Sequence, residues 1–243
     1  MHYGLIGQSL QHSYSPAFFA ARFTDWGLSK THTYQAFELP TIEDFPALLQ
    51  AKKLSGLNVT IPYKESIIPF LDELHPDAAA IGAVNTIALD ENGRTHGYNT
   101  DVVGLQISLD RLCGHKPPQQ ALIIGKGGAA KAVQWVLNQW EVPFHIVSRG
   151  GPLTFKTLQE DLVEACDLLV QTTPLGTFPD VNTCPPLPYE VLGPQHRLLD
   201  LVYNPAETRF LTEGQKRGAK GMNGQLMLEE QALASWNIWQ SRF

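Results

Sequence analysis

The sequence predicts an α/β protein in two parts: a mixed α/β part first, then a doubly wound parallel sheet. Three observations predict it. Short apolar runs alternate with helix-period segments along the chain. Asn92-Gly93 stands between two strand-like runs and marks a hairpin. Residues 121–130, Ala-Leu-Ile-Ile-Gly-Lys-Gly-Gly-Ala-Ala, put a strand, a glycine turn and a helix start in direct succession.

Taken in order, residues 3–6 read as a strand. Ser15-Pro16 reads as a helix start, with Ser as N-cap and Pro at the first helical position. Phe19, Phe23 and Trp26 then follow at helical spacing. Residues 34–39 are a second expected strand, and Thr41 is placed to cap a helix carrying Phe45, Leu48 and Leu49. A third strand, 57–61, is ended by Pro62, and the runs 84–89 and Thr95–Tyr98 flank the hairpin turn. A helix is expected over 101–112, with Leu105 and Leu109 on one face. The loop 114–119, with Pro117-Pro118, is a candidate domain boundary. Beyond it, Ala121–Ile124, Phe144–Val147, Leu168–Gln171 and 198–201 are apolar runs separated by segments read as helical, the pattern of βαβ units. Residues 224–240 close the chain as a helix, with Leu228, Ala232 and Trp236 at fourfold spacing.

Bulk properties narrow the function. The 243 residues are 43% hydrophobic and 17% charged, a globular composition. A formal charge of −6 argues against nucleic acid or an anionic membrane as the main partner, since both select basic patches. No signal peptide is visible, and no apolar run approaches the roughly 20 residues of a membrane span. The three cysteines, Cys113, Cys166 and Cys184, are widely spaced and fit reduced thiols of a cytosolic protein. The histidines show no ligand spacing, so no metal is expected.

The glycine turn has a specific physical reading. Gly125 permits the tight turn, and Gly127 lets the backbone approach a pyrophosphate. The free N–H groups of the following helix then face the anion. The competing reading is a turn that uses glycine only for its backbone angles; the readable strand before it and helix after it favour a Rossmann-like dinucleotide site. An NAD site wants an acidic residue after the second strand, to hold the ribose 2′-hydroxyl. Ser148-Arg149 stands there instead. Arg149 suits a 2′-phosphate, so NADP is the expected cofactor.

In the N-terminal half, polar clusters sit at strand ends and turns: Ser13-Tyr14-Ser15-Pro16, residues 56–64 (Gly-Leu-Asn-Val-Thr-Ile-Pro-Tyr-Lys), residues 82–86 (Gly-Ala-Val-Asn-Thr) and residues 97–104 (Gly-Tyr-Asn-Thr-Asp-Val-Val-Gly). Hydroxyls and amides suit a polyhydroxylated acid, and a Lys–Asp pair can move a proton. Singly, each residue has a structural reading as a cap, a turn former or a surface charge.

Together, Asn58-Val59-Thr60-x-Pro62-x-Lys64, residues 82–86 and Asn99-Thr100-Asp101 make the chain resemble the shikimate dehydrogenase family over nearly its whole length. Asp200-Leu201-Val202-Tyr203-Asn204-Pro205 and Gly224-x-x-Met227-Leu228-x-x-Gln231-Ala232 are similar to that family's C-terminal motifs. The resemblance implies NADPH-dependent reduction of 3-dehydroshikimate to shikimate, in chorismate and aromatic amino-acid biosynthesis. It implies that Ser13 and Ser15 bind the substrate carboxylate, that Thr60, Lys64, Asn85, Asp101, Tyr203 and Gln231 line the substrate site, and that Lys64 and Asp101 are the catalytic pair. Gly125, Lys126, Gly127, Gly128, Ala129, Ser148, Arg149, Thr172, Thr173, Leu201, Gly224 and Met227 would meet the cofactor. It implies a substrate-binding and catalytic domain of 1–102, rejoined by a terminal helix 224–243, and a dinucleotide domain of 103–223. The expected protein is a cytoplasmic monomer or homodimer that binds a small molecule, with no metal.

The chain departs from the family in three places. Lys126 replaces the usual small residue within the glycine turn. Ser148-Arg149-Gly150 stands where the family usually has Asn-Arg-Thr and a second basic residue, and Gly151-Pro152-Leu153 follows. Ser9 stands where a proline is usual. Two other functions compete: a quinate or broad quinate/shikimate dehydrogenase, whose members often use NAD, and a regulator that binds the ligand or dinucleotide without turnover. Arg149 speaks against the first and the Lys64–Asp101 pair against the second.

Overall fold

The computed structural model describes residues 1–11 and 13–241. The chain divides into two compact units, Met1–Thr100 with Ala232–Phe243, and Asp101–Gln231. Arg242 and Phe243, the end of the expected terminal helix, lie outside the described residues, as does His12. The loop 114–119 falls inside the second unit.

In the first unit, strands β1 (His2–Gly7), β2 (Thr33–Glu38), β3 (Gly56–Val59), β4 (Glu73–Leu74), β5 (Thr86–Leu89) and β6 (Thr95–Tyr98) form one mixed sheet in the order β2-β1-β3-β5-β6-β4. β1 runs parallel to β2 and β3, and β5 is antiparallel to β3 and β6. The expected hairpin closes at Asn92-Gly93, where Asp90 Oδ1 accepts the N–H groups of Asn92 and Arg94, both at 2.9 Å. Period-2 alternation then sorts the side chains. Leu57, Val59, Ile87 and Leu89 join Ile6, Phe45, Tyr63 and Ile67 in one core cluster. Tyr3 and Ala88 belong to another, with Phe18, Phe19 and Phe23 of the helix Ser15–Asp25 and Ala232, Trp236 and Trp239 of the helix Gln225–Gln240. Trp239 Nε1 donates to the Ile87 carbonyl at 3.0 Å, which fixes that helix end on the sheet.

Three local expectations are corrected. Ser15 is the first helical residue, not the cap; Tyr14 occupies the cap position with no side-chain capping bond. Ser15 is buried at that first helical turn. The third strand stops at Val59, because Thr60, Ile61 and Pro62 turn the chain into the short helix Tyr63–Ser66. Thr41 opens a 3-10 turn, Ile42–Asp44, and only then does the helix Phe45–Ala51 begin.

In the second unit, β7 (Ala121–Ile124), β8 (Phe144–Val147), β9 (Leu168–Gln171), β10 (Arg197–Asp200) and β11 (Lys220–Met222) form an all-parallel sheet in the order β11-β10-β9-β7-β8. β7–β10 are short apolar runs, almost completely buried in β7, β9 and β10, as a sheet covered on both faces requires. Helices Gly128–Gln139, Glu160–Ala165 and Arg209–Gln215 provide three of the four crossovers. The fourth corrects the expectation of alternating helices: between β9 and β10 the chain makes only the 3-10 turn Tyr189–Val191. Pro174, Pro179, Pro185, Pro186, Pro188 and Pro194 populate that connection, and each removes a helical N–H donor. Strand order reverses at β7, with the chain going to β8 on one side and β9 on the other. That switch point is where doubly wound sheets open a crevice.

Candidate active site

The polar motifs of the first unit converge on one buried hydrogen-bonded network. Asn58 on β3 pairs in register with Thr86 on β5, and both lie on the opposite face from Leu57 and Ile87. Asn58 Oδ1 accepts the Tyr34 hydroxyl at 2.8 Å. Its Nδ2 donates to Ser235 Oγ at 2.9 Å and to Thr86 Oγ1 at 3.2 Å. Thr86 Oγ1 and Ser235 Oγ are 2.7 Å apart, and Ser235 also reaches Thr100 Oγ1 at 3.1 Å. Asn85 holds Thr100 from both ends of its amide, accepting the Thr100 N–H at 2.6 Å and donating to its hydroxyl at 2.9 Å. Asn58, Asn85, Thr86, Thr100 and Ser235 are all buried. Burial also pushes the Tyr34 phenol well above its ordinary pKa, so it acts as a neutral donor. Buried polar groups satisfied in this way have one arrangement rather than several.

The expected substrate residues of this unit stand around that network. Ser15 is buried at the start of the helix Ser15–Asp25. Ser13 is half-buried and its N–H is bonded to the Leu10 carbonyl at 3.0 Å. Thr60 donates its N–H to Ile6 at the end of β1 at 2.9 Å, and its carbonyl accepts from Tyr63. Lys64 follows on the short helix, and its carbonyl accepts the Val84 N–H at 2.7 Å. Thus the backbone of Lys64 is tied to Val84, Asn85 next to it holds Thr100, and Asp101 follows Thr100 in the chain. Asp101, Tyr203 and Gln231 belong to the second unit. Asp101 is buried at the first position of the helix Asp101–Cys113. Gln231 Nε2 donates to the Leu228 carbonyl at 3.0 Å.

In the second unit, the glycine turn leaves β7 at the switch point. Gly125 has φ +119°, and a Cβ there would lie 2.3 Å from Thr172 Oγ1. Thr172, the residue after β9, donates its hydroxyl and its N–H to the Ile124 carbonyl at 2.8 and 2.9 Å. Gly127 is extended at the N-cap of the helix Gly128–Gln139, with no side-chain capping bond, and nothing lies within 4 Å of where its Cβ would be. Uncapped helical N–H groups beneath an open glycine are what a pyrophosphate needs, so the residues fit a dinucleotide. Ser148 and Arg149 follow β8, Ser148 buried and Arg149 exposed.

Two residues without a role assigned from sequence fix the neighbouring loops. Gln171, fully buried at the end of β9, accepts the N–H and hydroxyl of Thr173 at 2.7 and 2.8 Å. Its Nε2 donates to the carbonyls of Thr173 and Leu175. Asp200, also fully buried, accepts the Val202 N–H at 2.9 Å and the Thr208 hydroxyl at 2.5 Å, and so closes the loop carrying Leu201 and Tyr203. Burial raises its carboxyl from 3.8 to about 6, against the lowering effect of those bonds. Gly224 donates its N–H to the Val202 carbonyl at 3.1 Å and accepts from Leu228 as the last helix begins. The signal for Gln171 and Asp200 was available: each is a polar residue ending an apolar strand run. Among the described residues no group of His, Cys, Asp and Glu could hold a metal ion.

The family model described as shikimate dehydrogenase substrate binding domain matches residues 5–87, which hold Ser13, Ser15, Thr60, Lys64 and Asn85. A shikimate dehydrogenase (NADP(+)) of Syntrophomonas wolfei is 38% identical, over 97% of this chain and 88% of that protein. The chain belongs to the shikimate dehydrogenase family. The solved structure of a shikimate 5-dehydrogenase from Thermus thermophilus, in complex with NADP(H) and shikimate, matches with TM-score 0.85 and 31% identity, over 98% of this chain and 93% of that one. The family fold extends to a quinate dehydrogenase from Corynebacterium glutamicum in complex with NAD, at TM-score 0.87 and 26% identity, over 98% and 93% of the two chains. A substrate domain and a Rossmann-like domain are the architecture of the family, and the two sheets described above are its two parts.

Proposed function

We propose that this chain interconverts 3-dehydroshikimate and shikimate with NADP(H), a step of chorismate and aromatic amino-acid biosynthesis, and that Lys64 and Asp101 are its acid–base pair. The observation that carries the reading is the buried network of the first unit, which locks the family's polar motif residues to one another. Such locking aims hydroxyls and amides at a polyhydroxylated acid. In this reading residues 1–102 and 224–243 bind substrate and residues 103–223 bind the dinucleotide. Ser13 and Ser15 take the carboxylate, and Thr60, Asn85, Tyr203 and Gln231 take the hydroxyls. Gly125, Gly127, Gly128 and Ala129 cradle the pyrophosphate, and Lys126 meets the cofactor from the same turn. Arg149, beside Ser148, takes the 2′-phosphate, while Thr172, Thr173, Leu201, Gly224 and Met227 lie along the rest of the cofactor.

When bound, NADPH supplies the hydride. Lys64 donates a proton to the oxygen that becomes the substrate hydroxyl, and Asp101 orients the ammonium and balances its charge. In the oxidative direction Lys64 takes that proton back. The enzyme works in the cytoplasm as a monomer or homodimer. No helix among the described residues is long and apolar enough to cross a membrane.

Dinucleotide reduction followed by absorbance, pairing NADP⁺ and NAD⁺ each with shikimate and quinate, tests the reading. Turnover confined to shikimate with NADP⁺ supports it. Turnover of quinate, or equal use of NAD⁺, moves the chain to the quinate branch of the family. Silence in all four mixtures from folded protein points to the regulator that binds without turnover.

A further inference from the structure

The lysine inside the glycine turn is held where a second phosphate contact is missing from its neighbour. β7 and β8 are adjacent and parallel, with Ile124 opposite Val147. Two turns therefore leave the sheet side by side, and Lys126 stands two residues beyond Ile124 as Arg149 stands two beyond Val147. Lys126 is exposed, so water competes for its ammonium, yet Nζ donates to the Gly150 carbonyl at 3.0 Å. Ser148 Oγ donates to the same oxygen at 2.8 Å. After Arg149 the turn reads Gly150-Gly151-Pro152-Leu153 and offers no further side-chain donor. A Cβ placed on Gly150 would have only Lys126 Nζ near it, at 3.9 Å.

We infer that Lys126 is a specificity-determining residue, whose ammonium joins the Arg149 guanidinium in holding the 2′-phosphate of the cofactor's adenosine ribose. This rests on the NADP reading above and says which residue completes that subsite. A phosphate monoester carries about −1.5 to −2 charges at neutral pH, more than one guanidinium balances. Arg149 contributes a planar fork and Lys126 a compact charge on a long stem, and the two approach one anion from adjoining turns. A ligand without the 2′-phosphate gains from neither. The Gly150 carbonyl holds the Lys126 ammonium over the turn that carries Arg149, which lowers the ordering cost of binding. In effect the cation has moved from its usual place after the second strand to the turn after the first.

Binding by calorimetry of 2′,5′-ADP and of 5′-AMP, which differ only in the 2′-phosphate, tests this without turnover. Lys126→Ala is expected to weaken 2′,5′-ADP about tenfold and leave 5′-AMP within about twofold, as loss of one charge-assisted contact predicts. Lys126→Gln keeps a donor for the Gly150 carbonyl without the charge, and is expected to lose the same preference. Equal weakening of both ligands, no weakening of either, or full 2′,5′-ADP affinity in Lys126→Gln would overturn the inference. If the wild-type chain itself bound both ligands equally, the NADP reading would fall first and Lys126 with it. If the wild type discriminates and both variants match it, only Lys126 falls.

Discussion

The two units hold their candidate site residues by different means. In the first, side chains hold side chains: Tyr34, Asn58, Asn85, Thr86, Thr100 and Ser235 hydrogen-bond one another, and all but the half-buried Tyr34 are buried. In the second, the path of the backbone is what is held. Gln171 and Asp200 spend their side chains on neighbouring loop amides, carbonyls and hydroxyls, and Gly125 and Gly127 offer no side chain at all. The ligands explain the contrast. A small polyol acid is recognised by hydroxyls and amides whose rotamers must be aimed, so they are locked from behind. Phosphates are recognised by backbone N–H groups and charge, so the chain itself must be placed.

The sharpest way to break this comparison is to add a side chain where only backbone belongs. Gly125→Val puts a Cβ 2.3 Å from Thr172 Oγ1 at φ +119°. It is expected to weaken NADP⁺ binding by about 100-fold or more; retained affinity would mean that the turn does not set the site. A smaller effect is expected from Ser235→Ala, which leaves Asn58, Thr86 and Thr100 short of a partner. It should cost about 1–3 kcal/mol of stability by denaturant melts and raise KM for shikimate. The dissociation constant for 2′,5′-ADP should not move, and a change in it would blur the distinction between the units.

The mildest test concerns Asp200. Burial raises its carboxyl to about 6, from 3.8, so the folded state holds that proton more tightly than the unfolded chain does. Its contribution to stability is therefore fully present below about pH 4 and is lost as pH rises through about 6. Asp200→Asn removes the titration. The melting temperature of the variant relative to wild type should rise by about 5–10 °C between pH 4 and pH 7. A constant difference would mean that the carboxyl titrates in its ordinary range.

How much of this was legible in the sequence follows from the range of each interaction. β7, β8 and β9 have the expected bounds, because a short apolar run between turn residues has few other uses in a buried parallel sheet. The hairpin was legible from Asn92-Gly93 alone. The connection between β9 and β10 was not, since its spacing resembled the others while its prolines removed the helix. Ser15 carried a local signal for capping, yet the helix starts at Ser15 itself and Tyr14 takes the cap position. Of the candidate site, the motif residues were legible and their partners were not: Ser235 lies 177 positions from Asn58, and nothing local marks it as polar and buried. The direction of Lys126 depends on the β7–β8 register, which pairs residues that are 23 apart in the chain.

The central claim is that Lys64 and Asp101 act as one acid–base unit, and a double-mutant cycle on kcat with shikimate and NADP⁺ tests it directly. Lys64→Ala and Asp101→Asn are each expected to lower kcat by about 10²–10⁴-fold at an unchanged melting temperature. The double variant should be no worse than the poorer single one, because groups that act as a unit are lost together. Losses that multiply, or near-wild-type kcat in either single variant, would contradict the account.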